Sequence, residues 1–347
     1  MKGTYFLGNG RFETREMKER ELLPDEVLVK VEACGVCGTD VHIYHGDKGS
    51  AEVHPPVILG HEFSGTVVKT GKDVMNFPLG AHVTVDPNIY CGECRYCRTG
   101  RKQLCTHLEA VGVTRDGGFA DYAYVPASQC FILNDDVSFL SGAMAEPLAC
   151  CIHGIDRIGI RPGENVCIIG GGMIGQLMVQ LAKLQGASKV ILSEIAEKRR
   201  SIALETGADA VIDPSAENPK DAIEHILGKD SLDAVIECVG NINATKQAFE
   251  IASRGARILL FSVPKAGSEY NLRLEDVYQK ELTIMGSMIN PDTHQRAVEL
   301  INSHRLIIDR LITHIYPHEK LEDAIKLQMS QESIKVVVGS NGSNTAI

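Results

Sequence analysis

To about residue 150, apolar positions come in short runs, VLVKVEA from Val27, FSGTVVKTG from Phe63, HVTVDP from His82 and FADYAYVP from Phe119, separated by Gly and Pro. Alternation of apolar and polar residues between such breakers reads as half-buried strands, so a β-rich domain is expected over 1–150. From 151 to 285 the rhythm changes. The apolar strands NVCIIG, KVILSE, DAVID, LDAVIECVG, ARILLFSVP and ELTIMGS alternate with helical spacing, the mark of a doubly wound parallel sheet and an α/β class. The remainder, 286–347, holds a helix in THQRAVELINSH, a strand-like ITHIYP and a closing IKVVVG, before a polar SNGSNTAI expected to fray.

Within the second region, VCIIGGGMIGQLMVQLAKL passes from strand to helix through glycines, with helical apolar spacing at Ile174, Leu177, Met178, Leu181 and Ala182. Gly170, Gly172 and Gly175 then take the three positions of a dinucleotide fingerprint: a tight turn, close backbone approach to a pyrophosphate, and close helix-on-strand packing. A second strand, KVILSE, ends in Glu194, placed to accept from the adenosine ribose hydroxyls and to repel a 2′-phosphate. NAD is therefore the expected cofactor. Lys198, Arg199 and Arg200 follow closely and keep NADP as the less favoured alternative.

Cys91, Cys94, Cys97 and Cys105 stand in one polar, Gly-containing stretch, CGECRYCRTGRKQLC. Four soft sulfur ligands fill a tetrahedral zinc shell and leave no place for substrate, so this lobe, about 88–108, reads as a structural site. An iron–sulfur cluster or disulfides are the competing readings. The bacterial cluster run ends in x3-Cys-Pro, whereas here seven residues intervene and Thr106 follows. A second set is mixed: Cys37 in GVCGTD, and His61 with Glu62 in GHEFSG. One Cys, one His and one carboxylate form an incomplete shell, which is how a catalytic zinc keeps a position for water or an alcohol. Glu146, in AMAEPLACC, could close that shell directly or through water. Each residue alone is weak, since a lone Cys is more often a small buried hydrophobe; the set carries the reading. Two zinc ions per chain are expected.

Composition narrows the class. A chain of 347 residues, 44% apolar and 23% charged, is long enough for two domains. A formal net charge of -10 disfavours nucleic acid or an anionic membrane as partner. With no signal-like or membrane-length apolar run, the expected location is cytoplasmic. The remaining cysteines, Cys34, Cys130, Cys150, Cys151, Cys167 and Cys238, lie in apolar stretches and are expected as reduced thiols.

GVCGTD, GHEFSG, the four-cysteine lobe, GGFADYAYVP, EPLACCIHG, IGGGMIG and IKVVVG stand in the order of the zinc-containing medium-chain alcohol dehydrogenases, which the chain resembles over nearly its whole length. The resemblance implies a GroES-like catalytic domain, a Rossmann domain, and a tail returning to the catalytic domain. It implies hydride transfer between an alcohol and NAD, and a homotetramer or homodimer. Thr39 and His42 match the family's proton relay, Arg199 a second adenosine-ribose contact and Lys335 a pyrophosphate cation. Backbone at Val263 and near Met288 would meet the carboxamide. Tyr44 falls where polyol enzymes place an aromatic against substrate, and their Arg-Tyr pair aligns with Ile289 and Asn290.

The subfamily signal is mixed. EPLA with Glu146 resembles polyol (sorbitol-type) and butanediol dehydrogenases, whereas CGTDVHIY resembles threonine dehydrogenases, which usually carry Gly-Asn where this chain has Leu-Ala-Cys after Pro147. A secondary alcohol, polyol or diol is the main expectation, and oxidation of an amino alcohol such as L-threonine the alternative. A zinc-free quinone-reductase-like relative and a non-catalytic NAD-binding protein are the readings outside that class.

Overall fold

The computed structural model describes residues 1–47 and 51–339, and the backbone of the short strand Thr345–Ala346. Contacts divide the chain into two compact units, Met1–Ala149 with Asn290–Ile347, and Cys150–Ile289.

The first unit is built on the strand Glu26–Gly35. One edge pairs antiparallel with Glu62–Thr70; the other is shared between Tyr122–Pro126 and Lys335–Gly339. Beyond these the eight-stranded sheet runs to His82–Val85 and Cys130–Ile132 on one side, and to Ile312–Tyr316 and Thr345–Ala346 on the other. Val27, Val29, Val31, Phe63, Val67, Val83 and Val85 join one core, closed by Leu321, Ala324 and Ile325 of the helix Leu321–Gln328. Phe63 is wholly buried, and truncating such a ring to Ala typically costs about 3–5 kcal/mol.

Two features of this unit were not anticipated. Lys2–Phe6 and Phe12–Glu16 form a hairpin that extends through Val57–Ile58 into a three-stranded sheet. FETRE offers the core little besides Phe12, too short an apolar pattern to register. Of the tail expected to fray, Thr345–Ala346 pairs with His314 and Ile315, while 340–344 and 347 lie outside the described residues.

The second unit is a six-stranded, wholly parallel sheet, Ala210–Ile212, Lys189–Ser193, Asn165–Ile169, Ala234–Glu237, Arg257–Leu260 and Thr283–Gly286 in spatial order. Every strand read from the sequence in this region is present. The first in sequence, Asn165–Ile169, lies in the middle, so the winding direction switches beside it, and ligands bind at the carboxyl ends of strands at such a point. Cys167, Ile169, Ile191, Val235 and Ile258 form its core. Burial pushes the Cys167 thiol up to about 12, which leaves it protonated and inert. All eleven cysteines are free thiols. Among the described residues no helix is long and apolar enough to cross a membrane.

Candidate metal centres and dinucleotide site

The mixed ligand set is assembled at the foot of the central sheet. Glu26–Gly35 ends two residues before Cys37, which caps the short helix Gly38–Tyr44, while Glu62 opens the neighbouring strand and His61 immediately precedes it. Gly60 turns the chain into that strand at φ +96°, a conformation that side-chain-bearing residues rarely adopt. One ligand atom from each of Cys37, His61 and Glu62 lies within 4.8 Å of the others. His61 and Glu62 are buried, and Cys37 half-buried.

Asp40, which the sequence reading missed, organises this set. It is fully buried; its Oδ2 accepts from the Cys37 backbone N–H at 2.8 Å, and its Oδ1 lies 3.8 Å from His61 Nδ1. With Nδ1 turned to Asp40, the other imidazole nitrogen is available to a metal. An acid three residues into a helix is a capping signal, so CGTD contained the clue.

Buried Asp40 Oδ1 and His61 Nδ1 lack hydrogen-bond partners. Burial alone would depress His61, but the charges of Cys37, Asp40 and Glu146 raise it well above the ordinary imidazole range. Burial also lifts the Asp40 carboxyl to about 6, against the lowering effect of His61. Such a desolvated, electronegative cluster suits a dication, and the donors, one sulfur, one nitrogen and one oxygen, suit zinc.

Glu146 sits buried in the first turn of the helix Ala145–Ile158; it contributes to the field on His61 but is outside the converging trio. Thr39 and His42 share one face of Gly38–Tyr44, three residues apart. Lys335, expected on a cofactor phosphate, is buried with its Nζ donating to Val36 O at 2.9 Å and to the Glu62 carboxylate. Tyr44 stacks on Phe12 with centroids 6.2 Å apart, and its hydroxyl donates to Glu322. Asn290 is wholly buried, accepting from Asn88 at 2.5 Å and donating to Asp86, so its amide is already engaged. Ile289 holds a left-handed backbone, φ +42°.

The four-cysteine lobe springs from the two-stranded ladder Asn88–Ile89 and Glu109–Ala110. All four thiols offer sulfurs within 4.8 Å of one another, with Cys91 to Cys105 at 3.4 Å and Cys91 to Cys97 at 3.9 Å. The Cys97 and Thr106 backbone N–H groups pull Cys94 down to about 5, whereas desolvation and neighbouring thiols push Cys97 up to about 12. Four thiols this close ionise together only around a cation, which is the condition a structural zinc meets.

In the second unit, Gly170 to Gly172 link the first parallel strand to the helix Met173–Leu184. A Cβ on Gly175 would collide with Gly170 O, so glycine is what lets the helix seat on the loop. The helix start has no side-chain cap, which leaves backbone N–H groups for a phosphate. Buried Glu194 accepts from Gly171 N at 2.6 Å and Ala196 N at 2.8 Å, with Arg199 Nη1 at 3.8 Å. Gln176, also unforeseen, ties the loop to the next turn by donating to Gly171 O and Arg199 O. Arg200 is committed to Glu194 O, Ile195 O and Asp213, leaving Lys198 as the exposed cation there. Val263 and Met288 are exposed, Val263 O lying against Gly240.

A parallel dinucleotide fold with a Cys-His-Glu metal set defines a zinc-dependent dehydrogenase. Residues 23–135 match the alcohol dehydrogenase GroES-like domain family and 174–303 the zinc-binding dehydrogenase family. A sorbitol dehydrogenase of Halalkalibacterium halodurans is 34% identical over 95% of this chain and 96% of its own. An L-threonine 3-dehydrogenase of Bacillus velezensis is 33% identical over 90% of this chain and 91% of its own. A structure from Sinorhizobium meliloti 1021, described as a zinc-binding dehydrogenase bound to NADP, shares 41% identity at a TM-score of 0.92, covering 97% and 98% of the two chains. The chain belongs to the zinc-dependent medium-chain alcohol dehydrogenase family, and it is an oxidoreductase.

Proposed function

We propose that the protein oxidises a secondary alcohol, a polyol or short diol, with NAD as hydride acceptor, and works as a homodimer or homotetramer in the cytoplasm. The convergence of Cys37, His61 and Glu62 in a buried electronegative pocket carries this reading. Zinc, when bound there, supplies Lewis acidity that makes an alcohol hydroxyl readily ionised, and the nicotinamide accepts hydride. Cys37, His61 and Glu62 hold the metal, with Glu146 as fourth group directly or through water; Asp40 fixes the Cys37 backbone and sets a carboxylate beside the His61 ring. Thr39 and His42 carry the hydroxyl proton outward. Cys91, Cys94, Cys97 and Cys105 hold a second, structural zinc.

On the cofactor side, Gly170, Gly172, Ile174 and Gly175 cradle the pyrophosphate and Glu194 takes the ribose hydroxyls, with Arg199 beside it. Backbone at Val263 and near Met288 meets the carboxamide. The NADP on the Sinorhizobium relative makes NADP the competing cofactor; the buried Glu194 carboxylate on Gly171 N favours NAD here. Oxidation of an amino alcohol is the second reading, supported by CGTDVHIY and by the threonine dehydrogenase relatives. An assay panel of sorbitol, arabinitol, 2,3-butanediol and L-threonine with NAD and NADP, alongside zinc analysis, tests both. Turnover of a polyol or diol with NAD at about two zinc per chain supports the first reading. Preference for threonine installs the second, and a loaded protein inactive on all four overturns both.

A further inference from the structure

His42 has a partner that the relay does not include. Its Nδ1 lies 3.3 Å from Asp47 Oδ2, and the Asp47 backbone N–H donates to His42 O at 2.9 Å, folding the carboxylate back onto the ring. Both side chains are partly open to solvent, 26% and 30%. We propose that Asp47 is a positioning residue for proton release: by accepting from Nδ1–H it holds His42 in one tautomer and leaves Nε2 as the ring's proton acceptor. The inference rests on His42 being the proton exit, and extends that reading by one residue.

The physical argument is that a carboxylate can only accept, so the imidazole nitrogen facing it carries the hydrogen and the opposite nitrogen keeps its lone pair. One short element then lays the path out in order. Cys37 stands at the cap of Gly38–Tyr44, Thr39 in its first turn, His42 one turn on, and Asp47 just past its end. During alcohol oxidation hydride leaves with the cofactor and one proton must reach water. His42 Nε2 takes that proton from the Thr39 side and gives it up to solvent, while Nδ1–H stays on Asp47. Other charged groups around this helix are engaged elsewhere. Asp40 is turned to Cys37 N and His61, Glu322 accepts from Tyr44 and pairs with Lys326, and His45 Nε2 lies 3.2 Å from Met329 Sδ.

The test uses the zinc-loaded enzyme and its His42→Ala, Asp47→Ala, Asp47→Glu and double His42→Ala/Asp47→Ala forms. Imidazole ¹⁵N spectra assign the His42 tautomer, and kcat for alcohol oxidation is followed against pH with and without added imidazole. Asp47→Ala, which removes the acceptor, should let His42 shift toward Nε2–H and lower kcat about three- to tenfold below about pH 8, with rescue by imidazole. Asp47→Glu should keep the wild-type tautomer, and the double variant should be no slower than His42→Ala. If His42→Ala is slow but Asp47→Ala keeps both tautomer and rate, Asp47 has no positioning role. A His42→Ala enzyme with an unaltered pH profile would instead overturn the exit reading, and this inference with it.

Discussion

The two metal sites of the first unit are built on opposite principles. The cysteine lobe takes all its ligands from fifteen consecutive residues, uses one donor type, and keeps three of its four cysteines half-buried beside a small ladder. The mixed site draws on a helix cap and the start of a strand, buries His61 and Glu62, and leans on Asp40 and Lys335 behind them. A closed all-sulfur site can stabilise but cannot react, whereas a mixed site held by the core can react only if the core positions it. Damage to the lobe should therefore appear first as lost stability, and damage to the mixed site as lost turnover.

The largest expected effect is at the mixed site. His61→Ala removes a metal ligand and the partner of Asp40, so turnover should fall by about 10³-fold or more, with one zinc lost per chain. The melting temperature should move little, because the surrounding valine core is intact. A variant that lost its fold as well would break the proposed division between the sites.

Next in size is Cys97→Ser. A structural zinc contributes its binding energy to folding, so loss of one thiolate should destabilise by several kcal/mol, seen as a melting temperature lower by about ten degrees at roughly 2–4 °C per kcal/mol for large domains. The remaining folded protein should retain per-site turnover close to normal. A folded Cys97→Ser enzyme that is stable but inactive would reverse the assignment.

How far each site could be read from sequence follows the same contrast. The lobe and the glycine loop are contiguous, and their chemistry is written in spacing: four Cys in fifteen residues, three Gly where strand becomes helix. All six parallel strands were legible for a related reason, since each is a short apolar run between breakers and the central three, Asn165–Ile169, Lys189–Ser193 and Ala234–Glu237, are buried nearly throughout. The mixed site was legible only as separate fragments. Nothing in IKVVVG says that Lys335 will meet Glu62, a residue 273 positions away, because that contact exists only once Lys335–Gly339 pairs with Glu26–Gly35. That Asn290 would be held by Asp86 and Asn88 was hidden for the same reason: both partners are about two hundred residues distant.

Cofactor choice extends the comparison to the second unit, where a local motif should again give a local effect. Glu194→Ser removes the ribose acceptor and the repulsion toward a 2′-phosphate while leaving the sheet untouched. The ratio of kcat/KM for NAD to that for NADP should fall about tenfold, equivalent to about 1.4 kcal/mol. Wild-type preference for NADP would show that Lys198 and Arg199 outweigh Glu194.

The smallest effect should lie at the base of the lobe, and it separates the lobe's metal from its protein footing. Asp86 is buried where the strand His82–Val85 gives way to the ladder; its Oδ1 accepts from Asn88 N, Asn88 Nδ2 and Asn290 Nδ2. Burial, opposed by these hydrogen bonds, raises its carboxyl to about 6 from the usual 3.8. A raised carboxylate means the folded state holds the proton more tightly than the unfolded one, so ionisation opposes folding. The penalty is absent below about pH 4 and complete above about pH 6. Asp86→Asn keeps an acceptor at Oδ1 and removes the charge, so it should raise stability by about 1–2 kcal/mol at pH 7.5, with the gain shrinking steadily as the pH falls toward 4. Thermal melts of both proteins across that range, with zinc content held equal, measure this directly. If the variant is less stable at pH 7.5, the ionised carboxylate is holding Asn88 and Asn290 more strongly than its burial opposes it, and the lobe's footing depends on charge as its metal site does.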